Sequence, residues 1–291
     1  MTQSNLTIST MQVLRAFEAN LKKSSIITIR YALDRAAREL GIYNSEPELV
    51  RWHQVDALAL QEVIVRWSGE MAGATLNLHL CALRGIFRSC LAHGLITHQA
   101  YLALTQIESI AIIKNFSCGI YVDQQNIRML MESCDNDQRR TLAARDQALI
   151  SILFGTVIGR MQAVNLQIGD LDLTQGMICV SSESCHLGGR KLEEWAITPL
   201  REWLCVLAGQ GQSSGRVLRR ISNGGRALSN MQAGGLYIAL RNRCVTAGVN
   251  ILKPRDARRT VATNLINSEG RSLTKITIGS NSLTATLRFT R

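Results

Sequence analysis

The chain is 291 residues long, 46% hydrophobic and 19% charged, with a formal net charge of +11 and an isoelectric point near 9.6. That length holds two compact domains with cores of their own, and the composition is that of a soluble globular chain. No apolar run approaches the roughly 20 residues of a bilayer helix, the N-terminus lacks a basic-then-apolar leader, and no C-x-x-C pair occurs among eight cysteines, so the expected protein is cytoplasmic, with reduced thiols and no membrane partner.

Residues 8–40 carry two helical patterns around a turn. Met11, Leu14, Phe17 and Leu21 mark the first; Ile29, Leu33, Ala36, Ala37 and Leu40 mark the second, which stops at Gly41. Ser24, Ser25 and Thr28 sit at the join, where hydroxyls cap a helix or reach a phosphate. A third element runs from Trp52 to Trp67. The fourth is the best marked: Leu76, Leu80, Leu83, Ile86, Phe87 and Leu91 recur at helical spacing between Gly73 and Gly94, and Arg84 and Arg88 lie one turn apart. Cys81, Cys90, His93 and His98 fall in this stretch, but their spacing matches no zinc finger, so no metal is expected.

The helical period breaks over 107–122, which reads as a linker. Asp123 then caps a new helix, and Arg145, Asp146 and Gln147 open another that runs from Ala148 to Phe154 and ends at Gly155. Two β-like runs, Met177–Ser182 and Leu192–Thr198, flank the turn H-L-G-G-R-K, in which Lys191 is the only lysine. A helix follows from Pro199 to Leu207, then a glycine-containing loop without a phosphate-loop lysine. Next come a basic cluster, Arg216, Arg219, Arg220 and Arg226, and a helix in which Tyr237 reads as a core residue.

Residues 253–291 hold six Arg and two Lys against Asp256 and Glu269, a net +6 of the chain's +11. So concentrated a basic surface implies a polyanionic partner. Its first helix opens on R-D-A-R-R-T and places Ala262, Leu265 and Ile266 on one apolar face.

Together these stretches resemble the tyrosine recombinases, the phage-integrase family. In the first half the family's early T-x-x-x-Y-x-x-x-L is met loosely by Thr28 with Leu33 nearby, and its late T-x-N-x-x-L-x-x-L-R-x-x-[FY] by Thr75, Leu80, Leu83, Arg84 and Phe87. Its G-[ST]-G-[LM]-R-x-x-E-x-x-x-L-x-x-x-D registers on Gly155, Thr156, Leu166 and Asp170. The tail follows H-x-L-R-[HR]-T, then L-G-H-S, then T-x-x-Y-x-[RH]. The resemblance implies a mainly α fold with a small β-hairpin or sheet. It implies a four-helix core-binding domain over 1–106, a linker over 107–122 and a mixed α/β catalytic-type domain over 123–291.

The same register implies a depleted catalytic set. Arg258 keeps its charge-clamp position, whereas Gly159 falls on the first catalytic arginine, Gln162 on the glutamate, Arg255 and Ser280 on the histidines, and Phe289 on the nucleophilic tyrosine. No histidine follows His186. Lys191 is the candidate for a leftover hairpin acid, beside the plainer reading of a solvated turn lysine. The resemblance implies double-stranded DNA as partner, with Arg84, Arg88, Arg160, Arg219, Arg220, Arg255, Arg259 and Arg288 as phosphate contacts. No cofactor or metal is implied. The expected protein binds DNA without cleaving and rejoining it, as an accessory or relic of a mobile element, alone or assembled with itself or an active recombinase. Two alternatives stay open: an active recombinase with a rearranged site, and a helical interaction protein unconnected with nucleic acid.

Overall fold

The computed structural model describes residues 3–106, 119–179 and 189–269. The chain divides into two compact units, Met1–Lys114 and Asn115–Arg291. Ser280, Arg288 and Phe289, most of the expected linker and most of the turn before Lys191 lie outside the described residues.

The first unit is helical: α1 (Gln3–Ala19), α2 (Lys23–Glu39), α3 (Ala57–Glu70), α4 (Gly73–Ala92) and α5 (His98–Thr105). The other four helices all pack on α4. Its apolar residues recur every three or four positions and therefore share one broad face, and Leu76, Leu83, Ile86 and Phe87 are buried there with Trp67 of α3 and Leu33 of α2. Helix α5 lies outside the helical patterns read from the sequence; its local signal is Thr97, whose side chain accepts a hydrogen bond from the Ala100 N–H. The expected hydroxyl cap of α2 is not formed. The N-cap falls on Lys22, which makes no side-chain cap bond, so Ser25 and Thr28 stand inside the helix.

The second unit is built around α7 (Arg140–Gly155), packed by α6 (Gln124–Asp135), α9 (Ile197–Gly209), α10 (Ala233–Ala247) and α11 (Pro254–Glu269). Leu149, Ile150, Ile152 and Leu153 are all buried, because the second half of this helix, from Ala148 to Gly155, is apolar nearly all round and enclosed on every side. It begins five residues before the Arg145 start read from the sequence. Short helix α8 (Arg160–Asn165) follows it. A three-stranded antiparallel sheet of β1 (Leu171–Asp172), β2 (Met177–Ile178) and β3 (Arg190–Lys191) comes next, with Ile178 opposite Arg190.

Two strand expectations need correction. The run Leu192–Thr198 is not a strand: a 3-10 turn at Glu194–Ala196 leads straight into α9, whose first turn accommodates Pro199 because that N–H has no helical partner to lose. Conversely, the basic cluster after Gly215 is part of a hairpin, β4 (Arg219–Ile221) with β5 (Ala227–Asn230). The turn signal Asn223-Gly224-Gly225 was legible.

Asp137, beyond the end of α6, is held well below the usual carboxylate range by hydrogen bonds from Arg139 and by Arg243. A depressed carboxylate pKa contributes stability above its unfolded value, near 4, and that contribution is lost as pH falls through the folded value. The melting temperature is therefore expected to decline as pH drops below about 4, and Asp137→Asn to flatten that decline. An unchanged acid profile in the variant would refute the assignment.

Candidate nucleic-acid interface

Helix α11 carries the basic residues of the tail, and its first turn is fixed by one carboxylate. Asp256 Oδ2 accepts from the Lys253 N–H at 2.6 Å, closing the N-terminus of the helix, while Oδ1 accepts from the Ile120 N–H at 3.0 Å. Three more bonds sew residues 119–122 to the helix. Arg259 donates to the Gly119 carbonyl at 2.6 Å, the Val122 N–H donates to Thr260 Oγ1 at 2.9 Å, and the Tyr121 hydroxyl donates to Asn264 Oδ1 at 3.0 Å. Gly119 has φ +88°, and a Cβ there would stand 2.6 Å from Asp256 Oδ1, so the contact admits only glycine. On the opposite face Ala257, Val261 and Ala262 are buried, the last two with Val157.

This anchoring turns Arg255 and Arg258 into an open cleft of about 440 Å³, which Gly159, Arg160, Tyr237, Lys253 and Pro254 also line. Gly159 is the N-cap of α8, and its N–H donates to Gln162 Oε1 at 2.9 Å. A Cβ at Gly159 would point at Arg258, 3.2 Å from Nη1. Behind the cleft lies Arg190 of β3, buried, donating to the Val157 carbonyl and, at 3.4 Å, to Gln162 Oε1. Burial, and then the charge of Arg190, lower the Arg258 pKa from its ordinary value, though a guanidinium stays protonated throughout. An anion in the cleft would relieve both effects.

The structure thus brings together Gly159, Arg160, Arg255 and Arg258. It corrects the reading of Tyr237, which is only half-buried and contributes to the cleft; its helical neighbours gave no hint that α11 starts beside it. Arg160 also lines the cleft, one residue from the expected arginine position, because it begins α8 and turns with its first residue. Arg190 precedes Lys191 in the turn, and only the pairing of β3 with β2 distinguishes it from a solvated turn cation. Lys191 itself is exposed, beyond the lining residues. Arg259 is turned to Gly119, and Arg219 donates to the carbonyls of Ser214 and Arg216 at 2.7 and 2.8 Å. Arg220 and Arg226 are exposed on the hairpin. In the first unit Arg88 is exposed and Arg84 half-buried.

The fold is that of the tyrosine recombinases. XerH site-specific recombinase, solved in a post-cleavage complex with palindromic difH substrate, superposes with a TM-score of 0.68 at 17% identity, over 98% of this chain and 92% of that one. A lambda integrase dimer bound to a COC' core site gives a TM-score of 0.66 at 13% identity, over 100% and 96%. The chain belongs to the phage integrase family, whose model matches residues 121–277. Tyrosine recombinase XerC of Alcanivorax borkumensis is 26% identical over 200 residues, 68% of this chain and 62% of that protein. XerC of Serratia marcescens is 25% identical over 263 residues, 89% and 80% of the two chains. Among the described residues no helix is long and apolar enough to cross a membrane.

Proposed function

We propose that this chain is a DNA-binding member of its family that does not cleave and rejoin DNA. The observation that carries the reading is Gly159, which faces Arg258 across the cleft at the position where the family resemblance puts a catalytic arginine. Strand exchange through a phosphotyrosyl bond needs a nucleophile, arginines and histidines that hold the charge developing on the phosphoryl oxygens, and an acid for the leaving oxygen. Here Arg258 alone keeps its place; Arg255 and Ser280 replace the histidines, and Phe289 has no oxygen to attack phosphorus. Arg160, Lys253, Arg255 and Arg258 still present positive charge to a backbone phosphate, so the chemistry halts at binding.

The difH substrate bound by XerH and the COC' core site bound by the lambda integrase dimer support DNA as partner, and that dimer supports assembly on it, with a second copy or an active recombinase. The protein acts in the cytoplasm, as an accessory or relic of a mobile element. A second reading, cleavage through a rearranged site, is favoured by Tyr237, whose phenol belongs to the same cleft.

A salt series tests the binding. Affinity for duplex DNA is expected to fall linearly in log–log form as salt rises, and Arg258→Ala to weaken binding and reduce the slope by about 1. A complex indifferent to salt, or none at all, would return the chain to the class of helical interaction proteins.

A further inference from the structure

We infer that the cleft prefers the terminal phosphate of a nicked or broken DNA strand to the internal phosphate of an intact one. This rests on the DNA-binding reading above and narrows its ligand. Among the described residues, four cationic side chains, Arg160, Lys253, Arg255 and Arg258, line the cleft, and none of the lining residues is a carboxylate. Arg190 adds a fifth charge from behind, close enough to act on Arg258. The other polar side chain in the described lining is the Tyr237 phenol.

An internal phosphodiester offers this cluster one negative charge and two free oxygens. A terminal phosphomonoester offers about −1.5 to −2 charge near pH 7 and three acceptor oxygens. Each further charge gains more in a partly enclosed site than in water, because screening there is weaker. Space allows the larger group: the cleft is open and about 440 Å³ in volume. The exposed Arg255, at a position of the family's histidine, adds a permanent charge with a planar fork suited to two phosphate oxygens. The cleft that resembles a site for breaking a strand is thereby charged to hold one already broken.

The test uses the full chain and four fluorescent duplexes of one sequence: intact, nicked with hydroxyls on both sides, nicked with a 5′-phosphate, and nicked with a 3′-phosphate. At pH 7.5 at least one phosphorylated nick is expected to bind on the order of tenfold more tightly than the hydroxyl nick. That preference is expected to shrink at pH 5, where the monoester takes up its second proton. Arg255→Gln, an exposed change checked for folding by circular dichroism, is expected to weaken every duplex, and to weaken the phosphorylated nick most, so that its advantage over the hydroxyl nick falls to about twofold or less. Equal affinity for all nicked duplexes, or a preference untouched by pH and by Arg255→Gln, overturns the inference and leaves DNA binding standing. Failure of every duplex to bind overturns the reading beneath it. Inorganic phosphate is expected to compete only far above the concentration of the phosphorylated duplex; competition at comparable concentration would assign the cleft to free phosphate instead.

Discussion

Asp146→Ala is expected to cost the second unit about 3–5 kcal/mol, enough to unfold most of it at ordinary temperature. Asp146 is buried on α7 between two buried arginines: Oδ1 meets Arg145 Nε at 2.6 Å and Oδ2 meets Arg243 Nε at 2.6 Å. Arg243 also reaches Asp137 at 2.8 Å and the Ser133 carbonyl at 3.2 Å, and Arg145 reaches the Arg219 carbonyl at 3.4 Å. One carboxylate therefore ties α7 to α10, and through them to α6 and β4. Removing it leaves two guanidinium groups enclosed with their principal counter-charge gone, and the cost is dominated by that uncompensated burial. Replacing Asp146, Arg145 and Arg243 together by Leu, Met and Met is expected to recover much of the loss, because an apolar cluster carries no desolvation penalty. Chemical denaturation measures both. A loss below about 1 kcal/mol for Asp146→Ala would mean that water reaches the network and screens it.

The second large effect is expected at Asp256, and it joins stability to function. Asp256→Ala leaves the N–H groups of Lys253 and Ile120 without their acceptor at a side chain only 4% exposed. Both bonds are only partly buried, so water replaces part of what is lost and the total cost is expected at about 1–3 kcal/mol. The same change frees the first turn of α11, which carries Arg255 and Arg258, so DNA affinity is expected to fall although neither arginine is altered. Asp256→Asn, which retains one acceptor oxygen, is expected to lose less of both. Full DNA affinity in a folded Asp256→Ala protein would show that the carboxylate does not position the arginines.

Local signals in the chain were the readable ones. The spacing of α4 and the apolar face of α11 were plain because both depend on neighbours three and four residues apart. Gly155, Thr156, Leu166 and Asp170 put Gly159 in register, and in the structure Gly159 lines the same cleft as Arg258. What escaped were contacts between distant segments. Asp146 and Arg243 are 97 residues apart, and nothing in either segment announces the pair. Tyr237 reads as core because its side of α10 is decided by where α11 begins. Arg190 looks like one more turn cation until the pairing of β2 with β3 carries it inward behind Arg258. Leu192–Thr198 has strand-like composition, yet Ala196 and Leu200 are buried at helical spacing against α7, and packing outweighs local preference.

DNA binding at a site that has lost its reaction can be tested directly. Its most direct measurement takes duplexes selected by the protein from a random pool, places a nick so that any cleavage is trapped, and runs native and denaturing gels in parallel. The account predicts a salt-sensitive shift on the native gel and no protein–DNA adduct on the denaturing one, for the wild type and for Phe289→Tyr alike, since the arginine missing at Gly159 is not restored by the hydroxyl. A covalent adduct with the wild type, abolished by Tyr237→Phe, would contradict it and make this chain an active recombinase with a displaced nucleophile.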